Sequence, residues 1–100
     1  MSLPAGCVER CREAIALLRE GREQPGPRLI ELTDSAEREV IAVRDELIQR
    51  LRAASDPAGQ TALEQINVTL SVLASVEYPG ELDRKHVDTA VGQLEGLIRD

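Results

Sequence analysis

Two cysteines come first among the residues whose type and spacing could support chemistry. Cys7 and Cys11 lie four residues apart in a segment with a helical pattern, so a helix would place both thiols on one face. Such a pair could bind zinc or iron with a third ligand such as His86, act as a redox pair, or link two chains. Zinc sites favour two residues between paired cysteines, and the chain has no other cysteine. Because Cys11 also falls on an apolar stripe, our first interpretation is that both thiols are structural.

His86 is the only histidine of the chain, and it follows Asp83 by three residues. Asp83 and His86 could form a metal-ligand pair, but a di-iron helical bundle needs glutamates from several helices and two histidines. A single histidine does not supply such a site. The sequence therefore predicts that His86 is a surface residue near the start of a helix.

The only aromatic residue is Tyr78, and it follows Glu77. We expect the Tyr78 ring to close one end of the core while its hydroxyl stays in water. Tyr78 and Glu77 are the candidates for contact with a partner protein or a small ligand. One histidine, without a glycine-rich phosphate loop, gives neither a catalytic set nor a cofactor site, so we expect a protein that is not an enzyme.

The elements that position these residues are organised around Asp56–Glu77. Asp56 followed by proline is a strong helix start, because the carboxylate can cap the first turn and proline fits the first helical position. The apolar residues that follow cover most of the helix circumference, which indicates a central buried helix. The alternating pattern of residues 66–72 also fits a strand that pairs with residues 28–33. That alternative fold is three helices plus a two-stranded β piece.

Three further helices are predicted around the central one. The first covers Pro4–Arg22, with a frayed end at Gly21. The second ends near Ala54 and follows an extended apolar approach at residues 29–32, with a cap at Thr33, Asp34 or Ser35. The fourth begins at a cap on Asp83 and runs to the C-terminus. These patterns predict an all-α, four-helix up-down bundle in which residues 1–100 form a single domain.

The spacing of Gly92 and Gly96, four residues apart in the fourth helix, is typical of a point where two helices cross closely.

The composition of the chain limits its possible functions. The chain has a formal net charge of −6 and an aromatic content of 1%, so it has neither a basic face nor stacking platforms for nucleic acid. The same acidity disfavours anionic lipid. No apolar run approaches about 20 residues, and no basic-then-apolar leader is seen, so we expect no membrane span and a cytoplasmic location.

The function predicted from the sequence is contact with other proteins, without catalysis. A bundle of this size has limited capacity to cover a helix that is apolar on most sides, so we expect a homodimer that buries surface of the third or fourth helix. An accessory or regulatory subunit of a larger complex is the other form of this function. The alternative from a different class is a metal-binding or thiol-redox bundle that uses Cys7 and Cys11.

Overall fold

The computed structural model describes residues 3–76 and 81–99, which form four α-helices. Their bounds are α1 Ala5–Arg22, α2 Gly26–Ala53, α3 Pro57–Ala74 and α4 Glu81–Ile98. Each helix packs against the next along the chain, and α4 returns to pack against α1. The predicted all-α four-helix bundle is confirmed. The molecule measures 43 × 19 × 17 Å, and α2 at roughly 1.5 Å per residue is about as long as the whole bundle.

The alternative fold with a two-stranded piece is wrong. Residues 28–33 lie inside α2 and residues 66–72 lie inside α3, and no strand occurs in the two described ranges. The start of α3 follows the predicted mechanism, because Asp56 Oδ1 accepts a hydrogen bond of 3.1 Å from the backbone N–H of Ala58. Pro57 occupies the first helical position.

The predicted starts of two other helices are wrong. Residues 29–32 are helical, and the expected caps Thr33, Asp34 and Ser35 lie inside α2. The cause is packing: Leu29, Leu32 and Ala36 are buried at helical spacing, so the apolar stripe of α2 continues back to its first turn, after the N-cap Pro25. Asp83 is likewise inside α4 rather than its cap. It lies four residues before the buried Val87 and shares its face, which explains why Asp83 is only 7% exposed.

The core lies along the bundle axis and is built almost wholly from aliphatic side chains of all four helices. The largest fully buried side chains are Leu18, Leu29, Val40, Val43, Ile66, Thr69, Leu73, Val87, Leu94, Cys7 and Cys11. In the part of the chain that the structure describes, Leu, Val and Ile at three- and four-residue steps fill the space between helices. The apolar pattern of α3 predicts a helix that is buried on most sides. In the structure α3 buries one face, and Val68 on its outer side is 51% exposed.

Gly21 explains how closely α1 and α2 approach at their connection. The sequence predicts that Gly21 frays the end of α1, but the residue is helical and buried. A Cβ atom at this position would lie 3.1 Å from Cβ of Leu32 and 3.6 Å from the carbonyl oxygen of Leu29. The absence of a side chain at Gly21 therefore lets the two helices pack tightly here.

Arg84 joins the start of α4 to the end of α1. Its Nε donates to the carbonyl oxygen of Arg22 and its Nη2 donates to that of Gln24, both at 3.1 Å. The last carbonyls of a helix have no intrahelical partner, and a cation next to them also interacts favourably with the helix dipole. Arg84 thus caps α1 with a side chain from α4.

Candidate functional site

Cys7 and Cys11 are both buried in the core, with exposed fractions of 1% and 0%, and neither forms a disulfide. The thiol of Cys7 donates a hydrogen bond of 2.7 Å to Oε2 of Glu46 on α2. Burial, followed by that hydrogen bond and the charge of Glu46, raises the pKa of Cys7 to about 12. Burial alone raises the pKa of Cys11 to about 11.

These pKa values keep both sulfurs in the thiol form at neutral pH, whereas the thiolate is the nucleophile and the metal ligand. The described residues contain no group of three or more His, Cys, Asp or Glu side chains that could hold a metal ion. The structure does not bring His86 to the cysteines. The neighbouring Arg84 contacts the C-terminal end of α1, and Cys7 precedes Arg22 by a helical length of roughly 20 Å.

His86 lies near the start of α4 and is partly exposed. Glu77 and Tyr78, the predicted partner contacts, lie outside the described residues. Glu46 was not among the sequence candidates, although a signal for it exists. If α1 and α2 pair antiparallel around the connection at residues 23–25, Cys7 lies opposite Ile41, which is about 1.4 helical turns before Glu46. An antiparallel pairing estimate therefore finds the neighbourhood of Glu46, but not the residue itself.

Two solvent-accessible stripes flank the groove between α3 and α4. The α3 stripe consists of Thr61, Gln65, Val68 and Val72, and the α4 stripe consists of His86, Thr89, Gln93 and Gly96. Steps of three and four residues keep each stripe on one side of its helix. Within the groove, the Thr69 hydroxyl donates a hydrogen bond of 2.8 Å to Oε1 of Gln93. We call these eight residues the α3/α4 face.

These eight residues include no Asp, Glu, Lys or Arg, and the exposed charged residues that border them are Glu64, Lys85 and Arg99. Within the α3/α4 face Val68 is 51% exposed, and it is the only large hydrophobic side chain of the described residues that is exposed. Two other sides of the bundle carry ion pairs between helices. Arg10 of α1 lies 3.2 Å from Glu39 of α2, and Arg19 lies 2.7 Å from Glu95 of α4.

Gly92 and Gly96 do not mark a crossing of helices within this chain. Both are exposed, and a Cβ atom added to either would meet no atom within 4 Å. Their φ angles are negative, so the backbone does not require glycine at either position. The outer surface of α4 is consequently bare of side chains at Gly96, within the α3/α4 face, and at Gly92, one turn before Gly96.

No protein-family model matches this chain, and comparisons with curated proteins and with solved structures gave no significant match. None of the four helices, over the parts that the structure describes, is long and apolar enough to cross a membrane.

Proposed function

We propose that this protein acts through contact with other protein rather than through catalysis, and that its partner is a second copy packed on the α3/α4 face. The observation that carries the proposal is the half-exposed Val68 within the α3/α4 face, whose eight residues are uncharged and whose border carries Glu64, Lys85 and Arg99. The core of a protein interface is depleted of charge, because a buried charge needs a partner of opposite sign. The α3/α4 face meets this condition without any pairing.

A second copy fits this face better than a chain of opposite charge. A two-fold interface places each face against itself, so it must be self-complementary. Two copies, each with a net charge of −6, repel through charged surfaces, but the α3/α4 face brings no like charges together. The single charged residue of α3 is the exposed Glu64, which lies four residues before Val68 and so borders the α3/α4 face.

Other features of the chain agree with an interaction module of the cytoplasm. The acidic surface disfavours nucleic acid and anionic lipid as partners. Cys7 and Cys11, buried and in the thiol form, give no support to the metal-binding or thiol-redox alternative.

The test compares two single substitutions on neighbouring residues of α3. Val68→Glu places a charge within the α3/α4 face, whereas Asn67→Glu adds the same charge to an exposed position outside that face, about 100° around α3 from Val68. Because Val68 is half-exposed, its replacement opens no cavity in the core, and circular dichroism checks that each variant folds.

We expect light scattering after size exclusion to give a dimer for the wild type and for Asn67→Glu, and a monomer for Val68→Glu. A like-charge contact at the two-fold axis is the reason for the difference. A dimer that survives Val68→Glu would place the interface elsewhere, and a monomeric wild type would refute the homodimer.

A further inference from the structure

A half-open cavity of about 500 Å³ lies where the end of α2 meets the start of α3 and the residues before α1. Its apolar lining comes from Leu3, Leu47 and Leu51, and the two charged residues that line it are Arg50 and Asp56. This volume is in the range of small-molecule sites, which combine a mostly apolar surface with few polar groups. The cavity shares no residue with the α3/α4 face.

Small residues keep this space open. Ala53, Ala54 and Gly59 line the cavity beside the connection between α2 and α3. A Cβ atom on Gly59 would lie 3.3 Å from Cδ2 of Leu51 and 3.1 Å from Oδ2 of Asp56. A larger residue at Gly59 would therefore press on both the apolar lining and the carboxylate of the site.

The two charged groups retain binding capacity. Arg50 Nε lies 3.8 Å from Oε2 of Glu46, which is too long for a hydrogen bond, and the Arg50 side chain is 60% exposed. Asp56 uses Oδ1 to accept from the backbone of Ala58, while no group in the described ranges hydrogen-bonds to its Oδ2. Arg50 and Asp56 form no ion pair with each other.

We propose that this cavity binds a small zwitterion with a branched aliphatic chain, of the chemical class of leucine. The carboxylate of the ligand pairs with Arg50, its ammonium group pairs with Asp56, and its chain packs on Leu47 and Leu51. The carboxylate of Asp56 would repel an aliphatic monocarboxylate, and the guanidinium of Arg50 would repel an aliphatic amine. Only a ligand with both charges is complementary to both residues.

The experiment is a titration of the full chain, ¹⁵N-labelled, followed by the amide shifts of residues around the cavity. The probes are L-leucine, 4-methylpentanoate, which lacks the ammonium group, and 3-methylbutylamine, which lacks the carboxylate. The variants are Arg50→Gln and Asp56→Asn, and asparagine keeps the cap of α3. Matched controls are Arg52→Gln and Asp45→Asn, which remove the same charges outside the cavity lining.

We expect saturable shifts around the cavity with leucine and weaker binding of the other two probes. Each exposed ion pair is of modest strength, so Arg50→Gln and Asp56→Asn should each weaken leucine binding by about fivefold. Both controls should bind leucine as the wild type does. Absence of saturable shifts with leucine, equal binding of a singly charged probe, or equal loss in the controls would each overturn the proposal.

Discussion

The reactivity of the two thiols gives a sharp test of the α1–α2 packing. Cys7 and Cys11 are almost fully buried, and their pKa values are raised from 9.0 to about 12 and about 11. A disulfide reagent such as 5,5′-dithiobis(2-nitrobenzoate) reacts with the thiolate. In the folded protein, both the access of the reagent and the thiolate population are therefore reduced.

The size of the effect follows from the pKa values. At pH 8 a thiol with a pKa of 9.0 is ionised to about one part in ten, whereas Cys7 at about 12 is ionised to about one part in ten thousand. This alone slows labelling of Cys7 about a thousandfold, and the same arithmetic gives about a hundredfold for Cys11. Steric protection by the core adds to both factors.

The assay measures absorbance of the released thiolate at pH 8, with and without denaturant. We expect two fast equivalents per chain in denaturant and labelling at least a hundredfold slower without it. Because burial is the largest cause of the shift at Cys7, Glu46→Gln should leave most of the protection in place. Native labelling at a rate near that of the unfolded chain would refute the buried placement of α1.

The same shifts predict how stability depends on pH. The folded-state pKa of each thiol lies above its unfolded value of 9.0, so this contribution is intact below pH 9 and is lost as the pH rises toward 11 and 12. A variant with alanine at both cysteines should lose less stability over that alkaline window than the wild type. The free energy of unfolding is measured by denaturant titration at each pH. An equal loss of this free energy with rising pH in the two proteins would contradict the raised pKa values.

Two further predictions concern the helix connections and can be measured by denaturant unfolding. Arg84→Ala should lower the free energy of unfolding by about 2 kcal/mol, because it leaves carbonyls at the end of α1 without their charged donor. Arg99→Ala is an exposed control and should change the free energy of unfolding by less than about 0.5 kcal/mol. Gly21→Ala should destabilise by about 1 kcal/mol because its Cβ would press on Leu32, whereas Gly92→Ala, with open space around it, should stabilise by about 0.5–1 kcal/mol. An Arg84 variant as stable as its control, or the reverse order of the two glycine variants, would contradict the packing described.

The helices themselves can be predicted from the sequence because their apolar spacing and the Asp56 cap are local signals. Two boundaries fail for a common reason: Thr33 and Asp83 are cap-type residues, yet both sit on the buried side of a helix that begins earlier. The preference of these residues for a cap position contributes less free energy than the packing of the buried stripe on which they lie.

The contacts between site residues depend on how neighbouring helices are aligned along their axes, which the sequence of one helix does not determine. The contact of Cys7 with Glu46 and that of Thr69 with Gln93 each join side chains from different helices. The α3/α4 face is visible only once α3 and α4 are placed side by side, because in the sequence the α4 stripe looks like an ordinary polar helix surface and the α3 stripe looks like part of a buried apolar helix. The exposed Val68 illustrates this: the apolar pattern of α3 predicts burial there, and the structure leaves it on the surface.

The most direct test of the central proposal is native mass spectrometry of the untagged chain at micromolar concentration under reducing conditions. The α3/α4 face predicts a complex of two chains, each of 10.9 kDa, which dissociates in the Val68→Glu variant and persists in Asn67→Glu. A single-chain mass for the wild type, or a dimer that is indifferent to Val68→Glu, would contradict the account.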